Sequence, residues 1–197
     1  MKFKLLEVSM AFSIIVTLMI SCFINIKSTY DDLQKNVLRM HILANSDTHE
    51  DQALKLKVRD ALLQNTDVIF NDCSNIDDAE YNVNQKMDLI KDIANKVILD
   101  NGYNYPVKVE LVNMPFDDRT YDNITMPSGL YDAIRITIGK AEGHNWWCVM
   151  YPPMCVNAVS IGDSSNYFDK STMEVLENHD KYKLKLKILE WLENTLK

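Results

Sequence analysis

The side chains with the most chemical capacity lie between Gly139 and Val156. There His144, Asn145, Trp146, Trp147, Cys148, Tyr151, Pro152, Pro153 and Cys155 follow two glycines, Gly139 and Gly143. A cysteine becomes a nucleophile when a histidine sits beside it in space, so Cys148 with His41 or His144 as base is one chemistry this stretch could perform. That reading makes the protein an exported cell-wall hydrolase, whereas packing is the plainer use of a cysteine among apolar neighbours. Tryptophan and tyrosine bring large apolar area with a polar handle and are the residue types that anchor protein interfaces. Prolines fix the backbone locally and deny it a continuing helix. The stretch therefore reads as an aromatic loop whose candidate partner contacts are His144, Asn145, Trp146, Trp147 and Tyr151. The other use of the tryptophans is to fill the core beneath a sheet, and a third role for such a loop is to bind wall polymer. Cys148 and Cys155 are close enough to pair in an oxidising compartment, leaving Cys73 free, and two buried thiols are the alternative.

Other chemistries find little support. The histidines at 41, 49, 144 and 179 show neither helical i,i+3 or i,i+4 spacing nor a zinc-finger arrangement with cysteines, so no metal is expected. No phosphate loop, dinucleotide fingerprint or nucleophile elbow occurs, and no cofactor is expected. The formal net charge is −7; Lys2, Lys4 and Glu7 contribute +1 of it, which leaves −8 on residues 27–197. An acidic chain of this kind is a poor ligand for nucleic acid.

The amino terminus carries Lys2 and Lys4 ahead of a nearly continuous apolar run from Val8 to Ile26, the pattern of an export segment. The run is long for a signal peptide and near the lower limit of about 17 residues for a membrane span. No small-x-small cleavage pattern follows it, which favours a retained membrane anchor over a cleaved signal peptide. The lysines orient residues 27–197 to the far side of the membrane. The expected organisation is residues 1–26 as signal or anchor, 27–35 as linker, and 36–197 as a single exported domain.

The elements that must position the aromatic stretch follow from periodicity. Val37, Leu38, Met40, Ile42 and Leu43 form a strand that stops at Asn45, Ser46 and Asp47. Asp47 with Glu50 has capping-box spacing and opens a helix to about Gln64, with Leu54, Val58, Ala61 and Leu62 on its inner face. A second helix is expected from Asp77 to Asp100, ended by Asn101 and Gly102. Val107, Val109 and Leu111 alternate with Lys108 and Glu110, and Ile134, Ile136 and Ile138 repeat the alternation, so these strands should pair across a loop from 113 to 128. Residues 181–188 alternate again and read as a strand followed by a short helix, or else 181–197 form one helix. The predicted class is α+β: a mainly antiparallel sheet covered by two long helices, preceded by the membrane or signal segment.

Two stretches carry a resemblance to a known family. One is Arg39 to Asp60, with His41, Ile42, Leu43, Ala44, Asn45, Ser46 and Asp47 followed by Asp51, Gln52, Leu54, Lys55, Val58, Arg59 and Asp60. The other is Pro127 to Cys155, with Gly129, Tyr131, Gly139, Gly143, the run Asn145, Trp146, Trp147, Cys148, and then Pro152, Pro153 and Cys155. Over residues 36–156 the chain resembles the stage II sporulation protein R family of endospore-forming bacteria. The resemblance implies a secreted signalling protein made in the forespore and exported to the space between the two sporangial membranes. Its implied partner is the membrane-embedded aspartic protease of the mother cell, which it activates to process the pro-form of the early mother-cell sigma factor. It further implies that the chain is a ligand and no enzyme. Asn45, Asp47 and Arg59 are read as holding the first strand to its helix, with partner contact as their lesser role.

Overall fold

The computed structural model describes residues 2–121, 124–153 and 168–183. Their contacts divide the chain into two compact units, one of residues 1–33, 118–127 and 168–197, the other of residues 34–117 and 128–167.

The larger unit is an α+β layer structure. Its sheet has the order β2 (Val107–Phe116), β5 (Gly129–Ile138), β1 (Leu38–Leu43), β6 (Asn145–Tyr151). β2 pairs antiparallel with β5 in the expected register, Val109 opposite Ile136 and Leu111 opposite Ile134, and β6 pairs antiparallel with β1. The central pair, β1 with β5, is parallel. The sheet is therefore mixed, where a mainly antiparallel one was expected: two of its pairings are antiparallel and the central one is parallel. The short β1 has neighbours on both sides, and parallel pairing is reached only through the long crossover that contains the helices. Period-two alternation reports which face a residue occupies but not the direction of its neighbour.

One face of this sheet is covered by helices. Leu38, Met40, Ile42, Val107, Ile134, Ile136, Ile138, Cys148 and Met150 pack with Leu54, Val58 and Leu62 of α2 (His49–Gln64), with Ile69 of α3 (Thr66–Ile69), and with Val83 of α4 (Ile76–Gln85). Ile90, Ala94 and Ile98 of α5 (Met87–Asp100) complete the core. Burying one such side chain stabilises the fold by about 1.5–3 kcal/mol. The second expected helix is thus two. Lys86 closes α4, its N–H donating to Asn82 and Val83, and opens α5, while its ammonium donates to the carbonyls of Val68 at 2.7 Å and Ile69 at 3.0 Å. α2 starts one residue later than Asp47 would have it: Thr48 is the N-cap, its hydroxyl accepting from the Asp51 N–H.

The smaller unit contains α1 (Lys2–Lys35), the β3–β4 hairpin (Arg119–Tyr121 with Ile124–Met126) and α6 (Lys170–Glu177). The hairpin occupies part of the expected 113–128 loop. Ile26 and Tyr30 pack with Val175 and Tyr182, and the Tyr30 hydroxyl meets His179 Nδ1 at 3.1 Å. Residues 181–183 are helical where a strand was the first expectation, and the rest of that segment lies outside the described residues.

Residues 27–35 continue α1 without a break. Among the described residues no helix is long and apolar enough to cross a membrane. The membrane segment expected over residues 1–26 is therefore not supported. Ser9, Ser13, Thr17, Ser21, Asn25 and Thr29 recur at every fourth position along α1 as a winding polar ridge, with Thr17 and Thr29 hydroxyls donating to the carbonyls of Ser13 and Asn25. Past Ile26 the same helix carries Lys27, Asp31, Asp32 and Lys35.

Candidate functional site

Two polar segments far apart in sequence meet where β1 ends and β6 begins. The short run from Asn45 to Thr48 is rich in side chains that bond to nearby backbone, which stops the strand and caps the helix. The Asn45 amide donates to Asp51 Oδ2 at 2.8 Å, and its Oδ1 accepts from the Lys140 N–H at 3.0 Å. The Ser46 hydroxyl donates to the same Asp51 oxygen at 2.5 Å. The Gln52 amide donates to the Ser46 carbonyl at 2.9 Å. Asp47 Oδ1 accepts from the His144 N–H at 2.5 Å and also pairs with the His144 imidazole. The Lys55 ammonium, almost fully buried, donates to Gln52 Oε1 at 2.5 Å and to the His144 carbonyl at 2.8 Å.

These bonds clasp residues 139–144 onto the start of α2. Only glycine fits at two places in the clasp. Gly139 has a φ of +60°, and a Cβ there would lie 2.2 Å from Asn45 Oδ1; at Gly143 a Cβ would lie 2.2 Å from the Ser46 carbonyl oxygen. The charges are held by their surroundings. Burial raises the Asp51 carboxyl, and bonds from Ser46, Asn45, Tyr105 and Thr48 outweigh it, so its pKa is lowered. The Asp47 carboxyl is held low by the bonds from His144, and the Lys55 ammonium is pushed down chiefly by burial. Asn45 and Asp47 thus join strand to helix as expected, in a network that also takes in Asp51, Gln52 and Lys55, whereas Arg59, the third residue expected to do so, bonds to Asp60 and lies over Trp146 of β6.

The aromatic stretch is a strand, not a loop. Successive side chains of β6 point to opposite faces of the sheet. Trp146 lies beside Ile42 on the helix side, half-buried, with the Arg59 guanidinium 4.3 Å above its ring centre. Trp147 lies beside His41 on the opposite side, its ring stacked on the imidazole at 4.0 Å and 8°, with Phe116 edge-on at 4.7 Å. The two indoles therefore cannot act as one pair of anchors. His144 and Asn145 are exposed, and Tyr151 packs on Phe70 at 5.5 Å ahead of a cis Tyr151–Pro152 bond. Cys148 is buried and disulfide-bonded. Cys155, the partner expected from sequence, lies outside the described residues. Cys73 is a free thiol, and no metal-holding cluster of His, Cys, Asp or Glu occurs among the described residues.

The sheet face away from the helices brings His41 and Trp147, both named from the sequence, beside Glu110, Arg135 and Arg39, to which the sequence reading gave no role there. Register aligns Glu110, Arg135, His41 and Trp147 in one row across β2, β5, β1 and β6. Arg39, fully buried, lies on the same face with its guanidinium 4.2 Å from the Phe116 ring centre and 5.0 Å from that of Tyr131. Burial lowers the pKa of His41, an interaction with Asn145 opposes the shift, and Arg135 adds to it. The signal was in the alternation of Arg39 and His41 with Leu38, Met40 and Ile42, two basic side chains that had to share one face.

Comparison with known proteins adds the lineage. The family model described as Stage II sporulation protein R (spore_II_R) matches residues 34–160. A protein named Stage II sporulation protein R from Bacillus subtilis (strain 168) is 35% identical over 147 residues, covering 72% of this chain and 66% of that protein. The chain thus spans just under two thirds of the relative's length. No solved structure matches it.

Proposed function

The chain belongs to the stage II sporulation protein R family, and from that premise we propose that it is an intercompartmental signal of endospore formation. In this reading it is exported into the space between forespore and mother cell, its apolar amino-terminal run acting as the delivery signal. There it engages a membrane-embedded aspartic protease and activates processing of the pro-form of the early mother-cell sigma factor. The observation that carries the proposal is the family match over residues 34–160, which takes in the clasp, the whole larger sheet and the β3–β4 hairpin. Activation requires only that the ligand bind the active state of the protease more tightly than the inactive one. His144 and Asn145 are exposed at the head of β6, and Trp146, Trp147 and Tyr151 are half-buried beside them, so the expected contact residues remain the proposed docking region as separate points on two faces.

The rival reading, a cell-wall hydrolase with Cys148 as nucleophile, meets a direct obstacle, because a disulfide-bonded sulfur offers no thiolate. Serine substitutions distinguish the two. In a host that co-expresses this chain, the protease and its pro-sigma substrate, Cys148→Ser and Cys155→Ser should affect processing to the same degree, as two halves of one bridge do. Wall-lytic activity abolished by Cys148→Ser and retained in Cys155→Ser would replace the signalling reading with the enzyme.

A further inference from the structure

On the sheet face away from the helices, the row Glu110, Arg135, His41, Trp147 has a charge balance opposite to that of the chain. Lys108 Nζ and Arg135 Nη2 both bond to the one Glu110 carboxylate, at 2.7 Å and 2.8 Å. Two cations share one anion here, on a protein whose net charge is −7. A guanidinium has five N–H donors, and the Arg135 Nε has no hydrogen-bond acceptor. The side chain is nevertheless 36% exposed, so the outer edge of its fork can be reached. Beside it in the row, across His41, stands Trp147, half-buried and held rigid by its stack on His41 and its edge contact with Phe116. A rigid tryptophan in one row with a part-exposed arginine whose one acceptor is shared with a lysine is the composition of an interface hot spot. The missing component is negative charge, which an occupant must bring.

We propose that this row is where the protein grips its partner, Arg135 taking an aspartate or glutamate carboxylate from a protein segment that lies along the face, and Trp147 supplying the apolar wall. The occupant is an acidic segment because Lys108 and Arg135 share one carboxylate, which leaves surplus positive charge beside the exposed edge of the Arg135 fork, and planar guanidinium–carboxylate pairing is the geometry that uses both. The inference rests on the activator reading and adds to it the chemistry of the contact.

The same co-expression assay, following processing of the pro-sigma substrate, tests it with the full-length chain. Arg135→Gln should lower processing about tenfold, Arg135→Lys, which keeps the charge but not the fork, should recover only part of it, and Lys96→Glu on the exposed side of α5 should leave it unchanged. Because Arg135→Gln also releases Glu110, thermal unfolding of the purified variant checks the fold. Lys108→Glu, whose side chain is 67% exposed, reverses the charge without touching the core and should also lower processing severalfold. Wild-type processing with both Arg135→Gln and Lys108→Glu would overturn the docking row while leaving the activator reading intact. No processing with the wild-type chain would remove the activator reading and this inference with it. Sedimentation of the wild-type chain with purified peptidoglycan, lost in Arg135→Gln, would reassign the row to an anionic wall polymer and overturn the protein occupant.

Discussion

At Gly143 one methyl group has nowhere to go, since the carbonyl it would meet is backbone and cannot rotate aside. Gly143→Ala should therefore cost about 2 kcal/mol or more, measured by chemical denaturation, because relief requires moving the clasp itself. His41 makes a different prediction. Its pKa is lowered in the folded protein from an ordinary 6.5, so the unfolded chain binds the proton more readily. The stability it contributes is complete above about pH 6.5 and is lost as the pH falls below that value. Denaturation curves between pH 5 and pH 8 should show this loss in the wild-type chain and not in His41→Asn. Asp47 and Asp51 have carboxyls lowered from 3.8, so their contributions persist until well below this window. The roles of Asn45 and Asp47 were legible in the sequence because capping residues act on backbone a few positions away. The separation of Trp146 from Trp147 was not, because it depends on reading residues 145–151 as a strand, and the glycines and prolines that flank the run point to a loop.

At the scale of elements, the clasp is a joint between β1, α2 and β6, and Lys55 is its buried pin. Lys55→Met keeps most of the side-chain volume but leaves the His144 carbonyl and Gln52 Oε1 without their donor. A loss of about 1–3 kcal/mol is expected, with amide exchange accelerated first in residues 139–145. An unchanged exchange pattern there would mean that the ammonium contributes nothing to the joint. Helices α2 and α5 and the pairing of β2 with β5 were legible from periodicity, which reports burial directly. The break at Lys86 was not, since it depends on carbonyls at the end of α3 that the lysine reaches only in the folded chain. The parallel pairing of β1 with β5 was hidden for a similar reason, strand direction being a property of the crossover and not of the strand.

For the molecule as a whole, family membership carries the functional account, and the fold supplies the surfaces on which it can act. The acidic charge and the apolar amino terminus were plain in the sequence, whereas the polar ridge of α1 emerges only when its polar residues are placed on a helix. The division into two units was not foreseen, because residues 118–127 leave one unit for the other in the middle of the chain. The most direct test of the signalling role is to co-express the chain with the protease and its pro-sigma substrate in a non-sporulating host and follow processing by gel shift. A parallel culture should carry a deletion of Val8 to Ile26. Under the signalling role, processing requires this chain and is lost with the deletion. Processing that proceeds equally without the chain would contradict it.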